Sequence, residues 1–120
     1  MNTQDELVIA DEALASIAAI TAQTMPEIAG LESGLVQDLT AMFGREHQTV
    51  GVVIRRTEDE ISVDMYIHVY YGHRIPDIAL RLQEKVKTAL EQYAQVMVVA
   101  VNVYVQKILW QDHTGGQNGE

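Results

Sequence analysis

The sequence predicts a two-layer α+β domain, in which a mixed sheet of three to four strands carries two main helices on one face. Three features predict it. Between Glu60 and Tyr71, the apolar residues Ile61, Val63, Met65, Ile67, Val69 and Tyr71 alternate with Ser62, Asp64, Tyr66, His68 and Tyr70, the period of a long strand with one face in a core. After Pro76, Ile78, Ala79, Leu82, Val86, Ala89, Leu90 and Tyr93 recur at helical steps beside Ile75. From Val96 to Ile108 the alternation returns, with Val99, Val101, Val103 and Val105 on one face and Ala100, Asn102, Tyr104 and Gln106 on the other. The order is therefore a β-hairpin followed by strand, helix and strand, with a right-handed crossover if the last two strands are parallel.

Taken in order, residues 1–6 are polar, and Leu7-Val8-Ile9-Ala10 is a short apolar run that could supply a fourth strand. Asp11 stands in N-cap position, ahead of Glu12, and opens a first helix over Asp11–Thr24 that is rich in alanine and stopped by Pro26. Residues 27–44 are ambiguous. Ile28-Ala29-Gly30-Leu31 reads as a turn or short strand; Leu35, Val36, Leu39, Met42 and Phe43 have the spacing of a short helix, with a flexible loop as the alternative. Thr49–Arg56 is a strand, turned back by Thr57-Glu58-Asp59 into the long one. Pro76 in the first turn and Asp77 beside it suit the start of the second helix. Residues 1–111 form one domain in this reading, and residues 112–120 a flexible polar tail.

Composition narrows the function. A chain of 120 residues holds one ordinary core, and the absence of cysteine leaves no disulfide and no thiolate chemistry. The N-terminus carries acids where a signal peptide needs bases, and no apolar run is long enough to span a bilayer, so the expectation is a cytoplasmic protein without direct membrane insertion. The net charge of −9 is uneven: residues 1–44 hold seven acids and no Lys or Arg, whereas residues 45–107 balance. An acidic half repels phosphates and anionic headgroups, which argues against nucleic acid as a ligand.

Catalytic patterns are missing. Ser16, Ser33 and Ser62 have no nucleophile elbow, the four histidines have no HxH or HExxH spacing, and no glycine-rich phosphate loop is present. The reading is a non-enzyme that needs no cofactor and no metal. What remains is one sheet face bearing Arg55, Asp64, Tyr66, His68, Tyr70, Asn102, Tyr104 and Gln106. Tyrosines on an open sheet can stack bases, but Glu60 and Asp64 on the same face oppose that use. Large amphipathic rings beside Asn and Arg suit a protein interface. The same face could equally be the wet side of the sheet, or be covered by residues 27–44. Candidate interface residues are Arg55, Tyr66, His68, Tyr70, Asn102 and Tyr104, joined by Arg81 and Lys85 on the second helix, whose charges could meet the acidic half of another copy.

From Val50 onward the chain resembles the alkaline-shock, or envelope stress response, protein family of bacteria. The residues that carry the resemblance are Gly51-Val52, Ile61-Ser62-Val63-Asp64, Tyr71-Gly72-His73-Arg74-Ile75-Pro76, Gln83, Val86-Lys87 and Val101-Asn102-Val103-Tyr104-Val105. Where the family has a threonine–glycine step before the last strand, this chain has Tyr93-Ala94-Gln95-Val96. The resemblance implies a non-enzymatic cytoplasmic protein of envelope homeostasis that self-associates into a homo-oligomer and, in some members, docks a membrane-anchored partner and so lies at the membrane periphery. An accessory or regulatory subunit of a lipid-metabolism enzyme is the alternative reading.

Overall fold

The computed structural model describes residues 5–33 and 51–111. The expected helix over residues 35–43, the first two residues of the expected strand Thr49–Arg56, and the tail lie outside the described residues.

Helix α1 spans Asp11–Gln23 and buries Leu14, Ala15, Ala18, Ala19 and Ala22. A face made largely of alanine removes side-chain bulk, so the helix backbone can lie close to what it covers. Asp11 is not the N-cap: that position is Ala10, and Asp11 is the first helical residue. Its carboxylate instead accepts two hydrogen bonds from Arg56, from Nε at 3.0 Å and from a terminal nitrogen at 2.7 Å. The same guanidinium donates to the carbonyl of Ile9 at 3.2 Å. The cation of Arg56 thus ties down the entry to α1.

The sheet is built on one strand. β3 (Glu60–Tyr70) has β4 (Met97–Leu109) along one edge in parallel register, from Glu60↔Met97 to Tyr70↔Leu109. Its other edge is shared end to end by two short antiparallel strands. β2 (Val52–Thr57) covers Glu60 to Met65, and β1 (Ile28–Leu31) covers Ile67 to Val69. Tyr66 sits at the junction, where its N–H donates to the carbonyl of Gly51 and its own carbonyl accepts from the N–H of Glu32, both at 2.8 Å.

The fourth strand is therefore Ile28–Leu31 and not Leu7–Ala10. The reason is backbone satisfaction: β2 ends its pairing at Met65, and the remaining groups of an eleven-residue β3 need a partner. Leu7 and Val8 stay 83% and 74% exposed, and only Ile9 reaches the core.

Helix α2 (Ile75–Ala94) buries Ile78, Leu82, Val86, Leu90 and Ala94, a stripe of strict i, i+4 steps. It packs on α1 and β4. With Ile61, Val63, Met65, Ile67 and Val69, all at 0–1% exposure, these side chains form a core between sheet and helices. Tyr93, expected in that stripe, is 69% exposed. In place of the threonine–glycine step, Gln95 ends α2 in the left-handed conformation (φ 56°) and returns its N–H to the carbonyl of Glu91 at 3.2 Å. The fold thus uses a non-glycine residue where glycine is the cheaper choice.

Candidate interaction surface

Strand pairing assembles the polar face. Even-numbered residues of β3 point away from the helices, and the parallel register sets Asp64 opposite Asn102 and Tyr66 opposite Tyr104. A bulge between Val105 and Lys107 then sets Lys107 opposite His68, and Leu109 opposite Tyr70. On the other flank, Val53 lies opposite Asp64 and Arg55 opposite Ser62.

Asp64 is the centre of this face and is only 8% exposed although it points away from the core. One of its oxygens accepts from Arg55 and from Asn102 Nδ2, each at 2.9 Å. The carboxylate therefore links β2, β3 and β4. Arg55 is itself 57% exposed, so its Coulombic share is screened; the shielded bond from the Asn102 amide to the carboxylate holds the geometry.

Beside it, the rings of Tyr66 and Tyr104 stack with centroids 4.8 Å apart and planes 16° from parallel. Burial and, next, the charge of Asp64 push the Tyr66 phenol above its ordinary value, with Tyr104 adding to this and Arg55 pulling the other way. It is a neutral hydroxyl at physiological pH. Tyr104 remains 42% exposed, which leaves an amphipathic ring at the surface. Further along, His68 Nε2 lies 2.7 Å from Glu32 Oε1, so the residue just after β1 is held onto the face. Aromatic area with fixed polar neighbours can bind another protein surface at little entropic expense.

Six of the eight expected residues, Arg55, Tyr66, His68, Tyr70, Asn102 and Tyr104, lie on this face. Arg81 and Lys85 do not: they belong to α2, in the other layer. Arg81 is engaged within its own chain by Glu27 at 2.6 Å, and Lys85 lines an open groove between α1 and α2 with Ile20, Thr24 and Tyr93. Gln106 is the extra residue of the bulge, and Lys107 takes its expected place. Lys107 and Glu32 were missed for definite reasons. A bulge leaves no mark in an alternating pattern, and Glu32 reaches the face only through the β1 pairing. Val99 is likewise an extra residue between Val98 and Ala100 and is 52% exposed, not part of the apolar face.

Among the described residues no group of three or more His, Cys, Asp or Glu side chains could hold a metal ion, and no helix is long and apolar enough to cross a membrane.

The Glu27–Arg81 pair gives a test of how β1 is anchored. The hydrogen bond from Arg81 holds the Glu27 carboxyl below its ordinary value of 4.5, with a backbone hydrogen bond assisting and burial opposing. Because the folded-state value is the lower one, the contribution to stability is present above the unfolded value and is lost as pH falls through the folded one. Arg81→Ala is expected to destabilise the fold by about 1 kcal/mol at neutral pH. The gap to wild type should close as urea titrations are carried down through the acidic range; a gap independent of pH would show that the pair is not its source.

Comparison with known proteins agrees with this architecture. Chains of MamM-CTD superpose with a TM-score of 0.50 at 16% identity, one of them covering 82% of this chain and 98% of its own length, a likeness of fold alone. The Streptococcus pyogenes serotype M6 protein Spy1614 is 32% identical over 111 residues, 90% of this chain and 92% of its own. YloU of Bacillus subtilis is 35% identical over 102 residues, 83% of this chain and 85% of its own. A family model described as having a cell envelope-related function matches residues 1–110, and with these relatives it shows that the chain belongs to the alkaline shock protein 23 family.

Proposed function

We propose that this protein is a non-catalytic scaffold of cell-envelope homeostasis, working by self-association and by contact with a protein partner, including one anchored in the membrane. The observation that carries the reading is the stacked Tyr66–Tyr104 pair beside the Asp64 clamp on a sheet face turned away from the helices. Stacked rings lose little side-chain freedom on docking, and the carboxylate at the centre already has its partners, so covering the face leaves that carboxylate paired. The acids Asp11 and Glu12 belong to α1, in the opposite layer, which lets copies of a chain of net charge −9 meet through a surface of mixed charge.

Light scattering over a dilution series tests this. The wild type is expected to form an oligomer whose mass Tyr66→Ala with Tyr104→Ala lowers by removing the contact through this face, while the circular dichroism stays that of the folded domain. A wild type that is monomeric at every concentration would overturn the self-association reading.

A further inference from the structure

Among the described residues, the outer edge of β4 is closed along one half and open along the other. In an extended strand the N–H and C=O of a residue point to the same side, and successive residues alternate. Glu91 on α2 accepts from the N–H of Val98 at 3.4 Å, and Gln83 Nε2 donates to the carbonyl of Val101 at 3.1 Å. These groups face away from β3. Counting on from Val101, and allowing for the extra residue Gln106, Val103, Val105 and Ile108 also turn their backbone groups outward. The inward set is confirmed at Leu109, whose carbonyl accepts from Tyr71 N–H at 2.8 Å. Two side chains of α2 thus cap the first half of the edge. No strand among the described residues pairs the second half.

That open half ends in apolar and aromatic surface: Ile108 is 52% exposed, and Trp110, 78% exposed, stacks on Tyr71 at 5.5 Å. It is also free of acids. Between Gln92 and Gln111 there is no Asp or Glu, and the single charge is Lys107. For two copies that each carry a net charge of −9, this is a segment on which they meet without carboxylates facing each other.

We infer that the open half of the β4 edge, Val103 to Ile108, pairs antiparallel with the same segment of a second copy, joining two sheets across a twofold axis. Backbone groups that need a strand, a segment free of acids and an adjoining apolar end all fit that occupant. The inference rests on the reading that copies associate, and it adds a contact distinct from the tyrosine face.

Trp110 is the only tryptophan, so its emission reports on this end of the strand. On concentrating the full chain, the expected results are a shift of the emission to shorter wavelength and slowed amide exchange at Val103, Val105 and Ile108. Ile108→Lys, which sets a second lysine beside Lys107 in each copy, should abolish both effects. The variant Tyr66→Ala with Tyr104→Ala should keep them. An oligomer whose edge amides stay unprotected would overturn the edge pairing and spare the self-association reading, whereas a monomer at every concentration removes both. Protection that is independent of concentration also overturns the pairing, because a segment of the same chain then covers the edge. Unprotected edge amides in a monomer that become protected only when an unrelated extended peptide is added would assign the edge to a foreign strand instead.

Discussion

Gly51→Ala is expected to lower the stability of the domain by about 3 kcal/mol and its Tm by roughly 10–20 °C. Gly51 has φ 75°, in the region that favours glycine, and a Cβ added there would lie 2.8 Å from Leu31 Cβ, 2.9 Å from the carbonyl oxygen of Tyr66 and 3.0 Å from the backbone nitrogen of Glu32. None of these atoms is the far end of a flexible side chain. The clash falls where β1 and β2 meet on the edge of β3, so relief would have to move Tyr66, and the ring stacking should loosen with it. Two other glycines calibrate the effect. Gly72 has φ 106° but open space around its missing Cβ, so Gly72→Ala should cost about 1 kcal/mol from backbone strain alone. Gly30 has neither positive φ nor a near neighbour, and Gly30→Ala should stay within about 0.5 kcal/mol of wild type. Thermal melts of the three variants check the ranking; a Gly51 variant as mild as the Gly30 one would show that the junction relaxes freely.

The second large effect is expected at Asp64. Asp64→Ala removes the acceptor for both Arg55 and Asn102 and leaves the half-buried Asn102 amide without it, a loss of about 2 kcal/mol. Asp64→Asn retains a carbonyl oxygen for both donors and should lose about 1 kcal/mol. The two partners separate in double-mutant cycles by urea denaturation. Coupling between Asp64 and Asn102 should exceed that between Asp64 and the solvated Arg55, and only the latter should fade in high salt. Equal couplings with equal salt dependence would refute the division proposed for this clamp.

Much of this architecture was legible in the residues. Alternation from Glu60 to Tyr71 and the i, i+4 stripe from Ile78 to Ala94 are statements about which side of an element meets water, and burial follows such patterns wherever an element is long. Membership of one polar face was legible for the same reason: Arg55, Tyr66, His68, Tyr70, Asn102 and Tyr104 share a parity within their strands. Shorter pieces were not. Leu7-Val8-Ile9-Ala10 and Ile28-Ala29-Gly30-Leu31 are equally apolar and equally brief, and nothing local says which one β3 will take.

By itself, then, the sequence determined the two layers, the hairpin, the strand–helix–strand order and six members of the polar face, because each depends on periodic solvent contrast within a single element. Only the tertiary structure decided that Ile28–Leu31 completes the sheet, that bulges at Val99 and Gln106 move Lys107 onto the face, that Asp64 is shielded by Arg55 and Asn102, and that Arg81 is taken up by Glu27. These are pairings between residues far apart in the chain. They are settled by which backbone and side-chain polar groups would otherwise be left without partners once the core has closed.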